Sequence, residues 1–261
     1  MALIIGGHIR SGTTLLRNLC NSHPDIAVTM EFGNFIGLGR PYRRYSRQLL
    51  KRQWRRRDHS VLVQGNRENR WGLLLQSYAF MVRYLSVLRR EGKSRIDVPD
   101  IEAALRSIFP AARIVGGKTP PYVFLLDRLA YVDGLDCLIV HRDCRDVTNS
   151  VLEKVRTDWR DKPFVGNFDT VEKIALRWVQ AIELTERYAD IVYTVRYEDL
   201  IQNPQGELDR VGEWLGVDAT RFPAAIIRTT SLGKHKDGLS NAQLSTVLRI
   251  AGPAMARLGY L

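Results

Sequence analysis

Short apolar runs alternate along the chain with longer amphipathic stretches. Ala2 to Gly7, Ala112 to Gly116, Asp136 to His141 and Ile191 to Val195 have strand length, and the shorter run Ile26 to Thr29 joins them. Thr13 to Asn21, Arg70 to Arg90, Pro99 to Phe109 and Tyr122 to Leu129 read as helices. So do Arg145 to Val155, Thr170 to Tyr188, Pro204 to Leu215 and Asn241 to Leu258. Near-continuous apolar strands between amphipathic helices predict a three-layer α/β fold, with a central, mostly parallel sheet flanked by helices on both faces. The ninety residues between Asn21 and Ala112 hold only one strand candidate, too much chain for one crossover. They predict a helical insertion over about residues 32–110, at the carboxyl edge of the sheet where open α/β folds take their ligands.

Composition narrows this picture. A chain of 261 residues with 45% apolar and 26% charged residues has enough material for one globular domain, expected over residues 1–261. No apolar run approaches the roughly 20 residues of a membrane span. The opening Met1-Ala2-Leu3-Ile4-Ile5 is too short for a signal-peptide core and reads as a strand. Cys20, Cys137 and Cys144 are scattered outside any zinc or redox spacing, so free thiols and a cytoplasmic, reducing setting are expected. The formal charge of +11 is local: Arg40 to Arg57 hold nine basic residues and no acidic one, leaving 30 basic against 28 acidic elsewhere.

Gly6-Gly7-His8-Ile9-Arg10-Ser11-Gly12-Thr13-Thr14 follows the first strand and opens a helix, so its backbone amides and the helix N-terminus converge on an anion. Gly7 and Gly12 have the spacing of a nucleotide-triphosphate loop, a P-loop-type nucleotide-binding arrangement, but Thr13 stands where its lysine belongs. The cation is instead Arg10. A second strand-to-helix turn places Arg142 at a strand end and Ser150 eight residues on, a charge-assisted donor and a hydroxyl for a second phosphate. Asp143, Arg145 and Asp146 between them read as capping and salt-bridge residues.

These two motifs resemble those of the sulfotransferase family. Arg10-Ser11-Gly12-Thr13-Thr14 is similar to its 5′-phosphosulfate loop, and Arg142 with Ser150 to its 3′-phosphate motif. The resemblance implies 3′-phosphoadenosine 5′-phosphosulfate as donor, its bisphosphate as product, and no metal. Val195-Arg196-Tyr197-Glu198-Asp199-Leu200 looks like the family segment whose tyrosine borders the nucleotide base, which implies that role for Tyr197. Gly233-Lys234-His235-Lys236 falls where relatives bring a basic loop over the 3′-phosphate, implying Lys234 or Lys236 there.

The stretch from Arg10 to Glu31, including His23-Pro24-Asp25, resembles tyrosylprotein sulfotransferases, as do Gly116-Gly117-Lys118-Thr119-Pro120 and Ala254-Met255-Ala256-Arg257-Leu258-Gly259-Tyr260. On that likeness Glu31 is the expected general base, with Arg10 and Lys118 stabilising the leaving phosphate and the migrating group. Similar loops in bacterial sulfotransferases leave the hydroxyl-bearing acceptor open among carbohydrate, lipid, natural product and peptide tyrosine. The basic stretch is expected to serve acceptor capture, with peripheral membrane contact open and nucleic acid disfavoured. Two alternatives stand beside this reading. One is a P-loop kinase using ATP and magnesium, and the other a non-catalytic basic binding module.

Overall fold

Six uncharged residues, each buried, make Ala2–Gly7 the central strand β1. The structure, a computed structural model, describes residues 1–55, 70–90, 94–227 and 232–261. After β1 come helix α1 (Thr13–Ser22), strand β2 (Ile26–Met30) and helices α2 (Tyr42–Arg55), α3 (Arg70–Arg90) and α4 (Val98–Ile108). Strand β3 (Ile114–Lys118), α5 (Leu126–Leu129), β4 (Leu135–His141), α6 (Cys144–Arg156) and α7 (Val171–Arg187) follow. The remainder is β5 (Tyr193–Arg196), α8 (Tyr197–Gln202), α9 (Pro204–Leu215), α10 (His235–Gly238) and α11 (Asn241–Arg257).

The five strands form one parallel sheet in the order β2-β3-β1-β4-β5. Alternation along β1 sends Ala2 and Ile4 to one core, under α3 and α4, and Leu3 and Ile5 to another, under α1, α8 and α9. A third core joins α6, α7 and α11. The expected three layers follow from this two-sided burial. Because β3 and β4 flank β1 on opposite sides, a crevice opens at its carboxyl end, the switch point at which such sheets bind ligands.

Three elements shift by two residues or more from the sequence reading. β3 starts at Ile114 rather than Ala112 and continues through Gly116-Gly117 to Lys118. By composition the glycines mark a strand terminus, yet they permit close approach: a Cβ on Gly116 would overlap the Leu3 carbonyl, and one on Gly117 the Asn34 side chain. Lys118 is therefore the last residue of the strand, not part of a following loop. The helix expected over Tyr122 to Leu129 begins as a 3-10 turn, Pro120–Leu125, before α5. β5 covers Tyr193–Arg196, later than Ile191 to Val195.

The insertion lies between β2 and β3 and contains α2, α3 and α4. α2 forms against its own charges. Arg43 and Arg44 occupy its first turn with no acidic residue, the wrong sign for the helix dipole. Arg43–Arg47 and Arg47–Lys51 are like-charge pairs four apart, each costing roughly 0.2–0.5 kcal/mol. Tertiary packing outweighs that cost. Tyr45 and Leu49 are buried, and the Tyr45 hydroxyl lies 2.8 Å from the Asn34 carbonyl and 2.7 Å from the Tyr84 hydroxyl. Arg40, Arg43, Arg44, Arg47 and Lys51 are exposed. Arg56 and Arg57 of the basic stretch lie outside the described residues.

Gly116→Ala is expected to lower stability by about 3 kcal/mol or more, since the added methyl meets backbone that cannot move without breaking the β1–β3 ladder. Urea denaturation monitored by circular dichroism measures it.

Candidate active site

The carboxyl ends of all five strands carry residues singled out from the sequence. β1 runs into the loop Arg10 to Thr14, β2 into Glu31, β3 ends on Lys118, and β4 and β5 run into Arg142 and Tyr197. Among the described residues only two that are not glycine have positive φ, Arg10 (66°) and Glu31 (52°). Backbone strain of this kind persists where the surroundings over-determine it, and it clusters at working sites.

One cluster forms around Arg10. Its Nε donates to Ser150 Oγ at 3.0 Å, and its carbonyl accepts from Arg142 Nη1 at 3.3 Å. The Arg142 guanidinium sits 4.7 Å from the centre of the Tyr197 ring, and that ring also covers Gly12, where a Cβ would collide with it. Gly12 (φ 98°) caps α1 in a conformation open to glycine, with no side-chain cap and no acidic residue in the first turn. The first-turn amides are thus left for an anion. The Ser11 hydroxyl is buried with no hydrogen-bond partner among the described residues. The Arg10 guanidinium, partly enclosed although the residue opens to solvent, has its pKa drawn down by that enclosure first and by the charge of Arg142 second. Crowding of two cations is the signature of a place prepared for negative charge.

A second cluster forms at β2 and β3. Lys118, only 1% exposed, donates from Nζ to Glu31 Oε1 at 3.0 Å and to Thr14 Oγ1 at 3.1 Å. The Glu31 amide bonds the Lys118 carbonyl at 2.5 Å, extending the β2–β3 ladder one step past β2 and fixing the turn that projects the carboxylate. Thr14 belongs to α1, so the two clusters share one helix.

Asp146 reads from sequence as a capping and salt-bridge residue, and it does pair with Arg142, but its carboxylate is a wider hub. Oδ2 accepts from Arg142 Nη2 at 3.2 Å and the Gly233 amide at 2.9 Å, and Oδ1 from the His235 amide at 3.0 Å and His235 Nδ1 at 2.8 Å. Burial pushes this carboxyl up, but the His235 hydrogen bonds, with the charge of Arg142 and the Gly233 amide, outweigh it and leave it below the ordinary range. The hub holds the 233–236 turn beside Arg142, and Asn149 Nδ2 donates to the Lys234 carbonyl at 3.2 Å. Lys234 and Lys236 lie on this turn, both exposed. Trp178 Nε1 adds a buried bond to the Arg142 carbonyl at 2.8 Å. Neither anchor has a local signal: an aspartate one turn after an arginine is common, and Trp178 lies 36 residues away.

The residues present fit a ligand with two separated anionic groups, one at the 10–14 loop and one near Arg142. A model of the sulfotransferase family matches residues 2–221. The chain belongs to that family. The sulfotransferase fold also recurs in solved structures of low sequence identity. The sulfotransferase domain of the olefin synthase from Synechococcus PCC 7002 is 20% identical, with a TM-score of 0.58 over 97% of this chain and 93% of that one. A sulfotransferase from Alicyclobacillus acidocaldarius is 17% identical, with a TM-score of 0.53 over 98% and 93%. The sulfotransferase STF9 from Mycobacterium avium is 15% identical, with a TM-score of 0.54 over 98% and 76%. No curated protein sequence matches the chain. The chain is therefore a sulfotransferase enzyme, which sets aside the kinase and the non-catalytic alternatives. No helix among the described residues is long and apolar enough to cross a membrane.

Two histidines frame the site without charge. Burial lowers the pKa of His8, in the loop, and of His141, at the end of β4, from 6.5 to about 4. In the unfolded chain both bind protons at a higher pH than in the folded one. Stability is therefore complete above about pH 6.5 and falls as the pH drops toward 4, by about 3 kcal/mol for each group. Urea midpoints between pH 7 and pH 4 check this, and His141→Asn is expected to flatten the slope by about half.

Proposed function

We propose that this sulfotransferase moves a sulfuryl group from 3′-phosphoadenosine 5′-phosphosulfate to a hydroxyl of its acceptor, with Glu31 as the base. The observation that carries this reading is the contact between the two anion-binding turns, Arg142 Nη1 on the Arg10 carbonyl at 3.3 Å and Arg10 Nε on Ser150 at 3.0 Å. Two such turns in one crevice suit a nucleotide bearing phosphates at both ends, whereas a single cradle would suffice for ATP.

When bound, the donor supplies the sulfuryl group and a bisphosphate leaving group. The loop amides of Gly12, Thr13 and Thr14, with Ser11, hold its 5′ end. Arg142 and Ser150 hold the 3′-phosphate, joined by Lys234 or Lys236 from the turn that Asp146 fixes. Tyr197, closed over Gly12, borders the base. Glu31 takes the proton of the attacking hydroxyl, and Arg10 and Lys118 neutralise charge as it gathers on the leaving oxygen. Such transfers depend on holding attacking and leaving oxygens in line and on fixed positive charge, more than on covalent help. The Lys118–Glu31 pair, held by Thr14, meets that demand by tying base and cation to the same helix start.

The acceptor enters from the insertion, about residues 32–110 of a domain we take as 1–261. α2 returns to the base: Gln53 Nε2 donates to the Phe32 carbonyl at 3.2 Å, and Arg52 lies against Gly33. Its exposed cations then serve acceptor capture. A carbohydrate, lipid, natural product or peptide tyrosine would each present the hydroxyl required. The three cysteines are free and buried, with thiol pKa values raised by burial, as suits a reducing cytoplasm.

In thermal-shift measurements 3′-phosphoadenosine 5′-phosphate is expected to stabilise the protein by several degrees more than ATP with magnesium, and Arg142→Ala to remove the difference. Equal or greater stabilisation by ATP would overturn the donor assignment. With labelled donor and a panel of hydroxyl acceptors, Glu31→Gln is expected to lower turnover roughly 10²–10³-fold while leaving bisphosphate binding unchanged. Full turnover in that variant would remove Glu31 as base.

A further inference from the structure

The segment after α11 takes part in neither cluster, yet it reaches both turns that carry the donor side. Tyr260 is 8% exposed. Its hydroxyl donates to Glu198 Oε2 at 3.1 Å and lies 2.8 Å from His141 Nδ1. A phenol has one proton, and with that proton on the Glu198 side His141 donates from Nδ1 and is the neutral Nδ1–H tautomer. The other Glu198 oxygen accepts from the Asp143 amide at 3.0 Å. The Tyr260 carbonyl accepts from Arg145 Nη2 at 2.9 Å, and the Gly259 carbonyl from Arg196 Nη2 at 3.0 Å. The Arg196 guanidinium lies 4.4 Å from the centre of the Tyr260 ring.

Every partner in this network is a near neighbour in sequence of a donor-side residue. His141, Asp143 and Arg145 bracket Arg142, and Arg196 and Glu198 bracket Tyr197. We propose that Tyr260 is a positioning residue for the donor pocket, clamping the β4–α6 and β5–α8 turns together so that Arg142 keeps its place over Tyr197 before any ligand arrives. The clamp rests on 3′-phosphoadenosine 5′-phosphosulfate being the donor. A pocket built from two turns on different strands is only as well ordered as the tie between them, and an anchor that fixes both removes an ordering cost from binding. The ring supplies packing under Arg196, while the hydroxyl supplies the tie, and the two contributions are separable by one atom.

Tyr260→Phe keeps the ring and deletes the tie. Calorimetric titration with 3′-phosphoadenosine 5′-phosphate is expected to give a Kd roughly tenfold weaker than wild type, the loss of about one good hydrogen bond. Turnover at saturating donor and KM for the acceptor should stay within about twofold, because the hydroxyl touches neither the base nor the acceptor side. Glu198→Ala, which removes the shared acceptor, should repeat the donor-specific loss. Val247→Ala is the control: Val247 is buried in the same α11 core and makes none of the polar contacts of the Tyr260 network, so its loss lowers stability while donor affinity should remain that of wild type. Wild-type affinity in both Tyr260→Phe and Glu198→Ala, or an equal weakening in Val247→Ala, would overturn the clamp alone. Failure of the wild type to bind the bisphosphate would instead overturn the donor reading and the clamp with it.

Discussion

The buried guanidinium of Arg142 is paired with Asp146 one helical turn away, and four donors surround the Asp146 carboxylate and favour its charged form. A buried ion pair with unsatisfied partners is a liability, since desolvation costs more than the attraction returns. Here the remaining carboxylate positions are filled by Gly233 and His235, from a turn 87 and 89 residues distant. One polar knot therefore sets the relation of β4, α6 and the basic turn before α11. Trp178 and Tyr197 complete it by fixing the carbonyl and the guanidinium face of Arg142. Such a network is costly to assemble and hard to deform, which is what a rigid anion pocket needs.

The other half of the crevice is built by strain. Arg10 and Glu31 adopt left-handed backbone conformations without glycine's freedom, each beside a dense partner set: Ser150 and Arg142 for the first, Lys118 for the second. The buried sheet beneath absorbs that cost. β1 is buried at every position, and the close approach of Gly116 locks β3 to it while Gly117 admits Asn34, so the loops at the strand ends cannot relax independently.

Much of this is legible in the sequence because it is local. The strand-loop-helix of Gly6 to Thr14, the strand-end Arg142 and the order of apolar runs each lie within a short window, where periodicity and turn chemistry apply directly. The sheet, its two covered faces and the helical stretch between β2 and β3 follow from those signals. What escapes is contact between distant segments. Asp146 shows its pairing with Arg142 in the sequence but not its partners at Gly233 and His235 far downstream, and nothing near Ser150 in the chain foretells that its hydroxyl also meets Arg10. Gly116-Gly117 reads as a strand end because composition cannot distinguish a glycine that breaks a strand from one that lets a neighbour come near. Tyr260 gives no sign of its network, being an ordinary aromatic after a helix.

The position of the helical insertion has an evolutionary consequence. The proposed anchors for the nucleotide come from β1, β4 and β5, whereas the stretch proposed to meet the acceptor is a single excursion that leaves the carboxyl end of β2 and re-enters the sheet at the amino end of β3. Such an excursion can be lengthened, recharged or exchanged without disturbing the knot around Arg142. Diversification of what is modified can thus proceed while the machinery that supplies the transferred group is inherited intact.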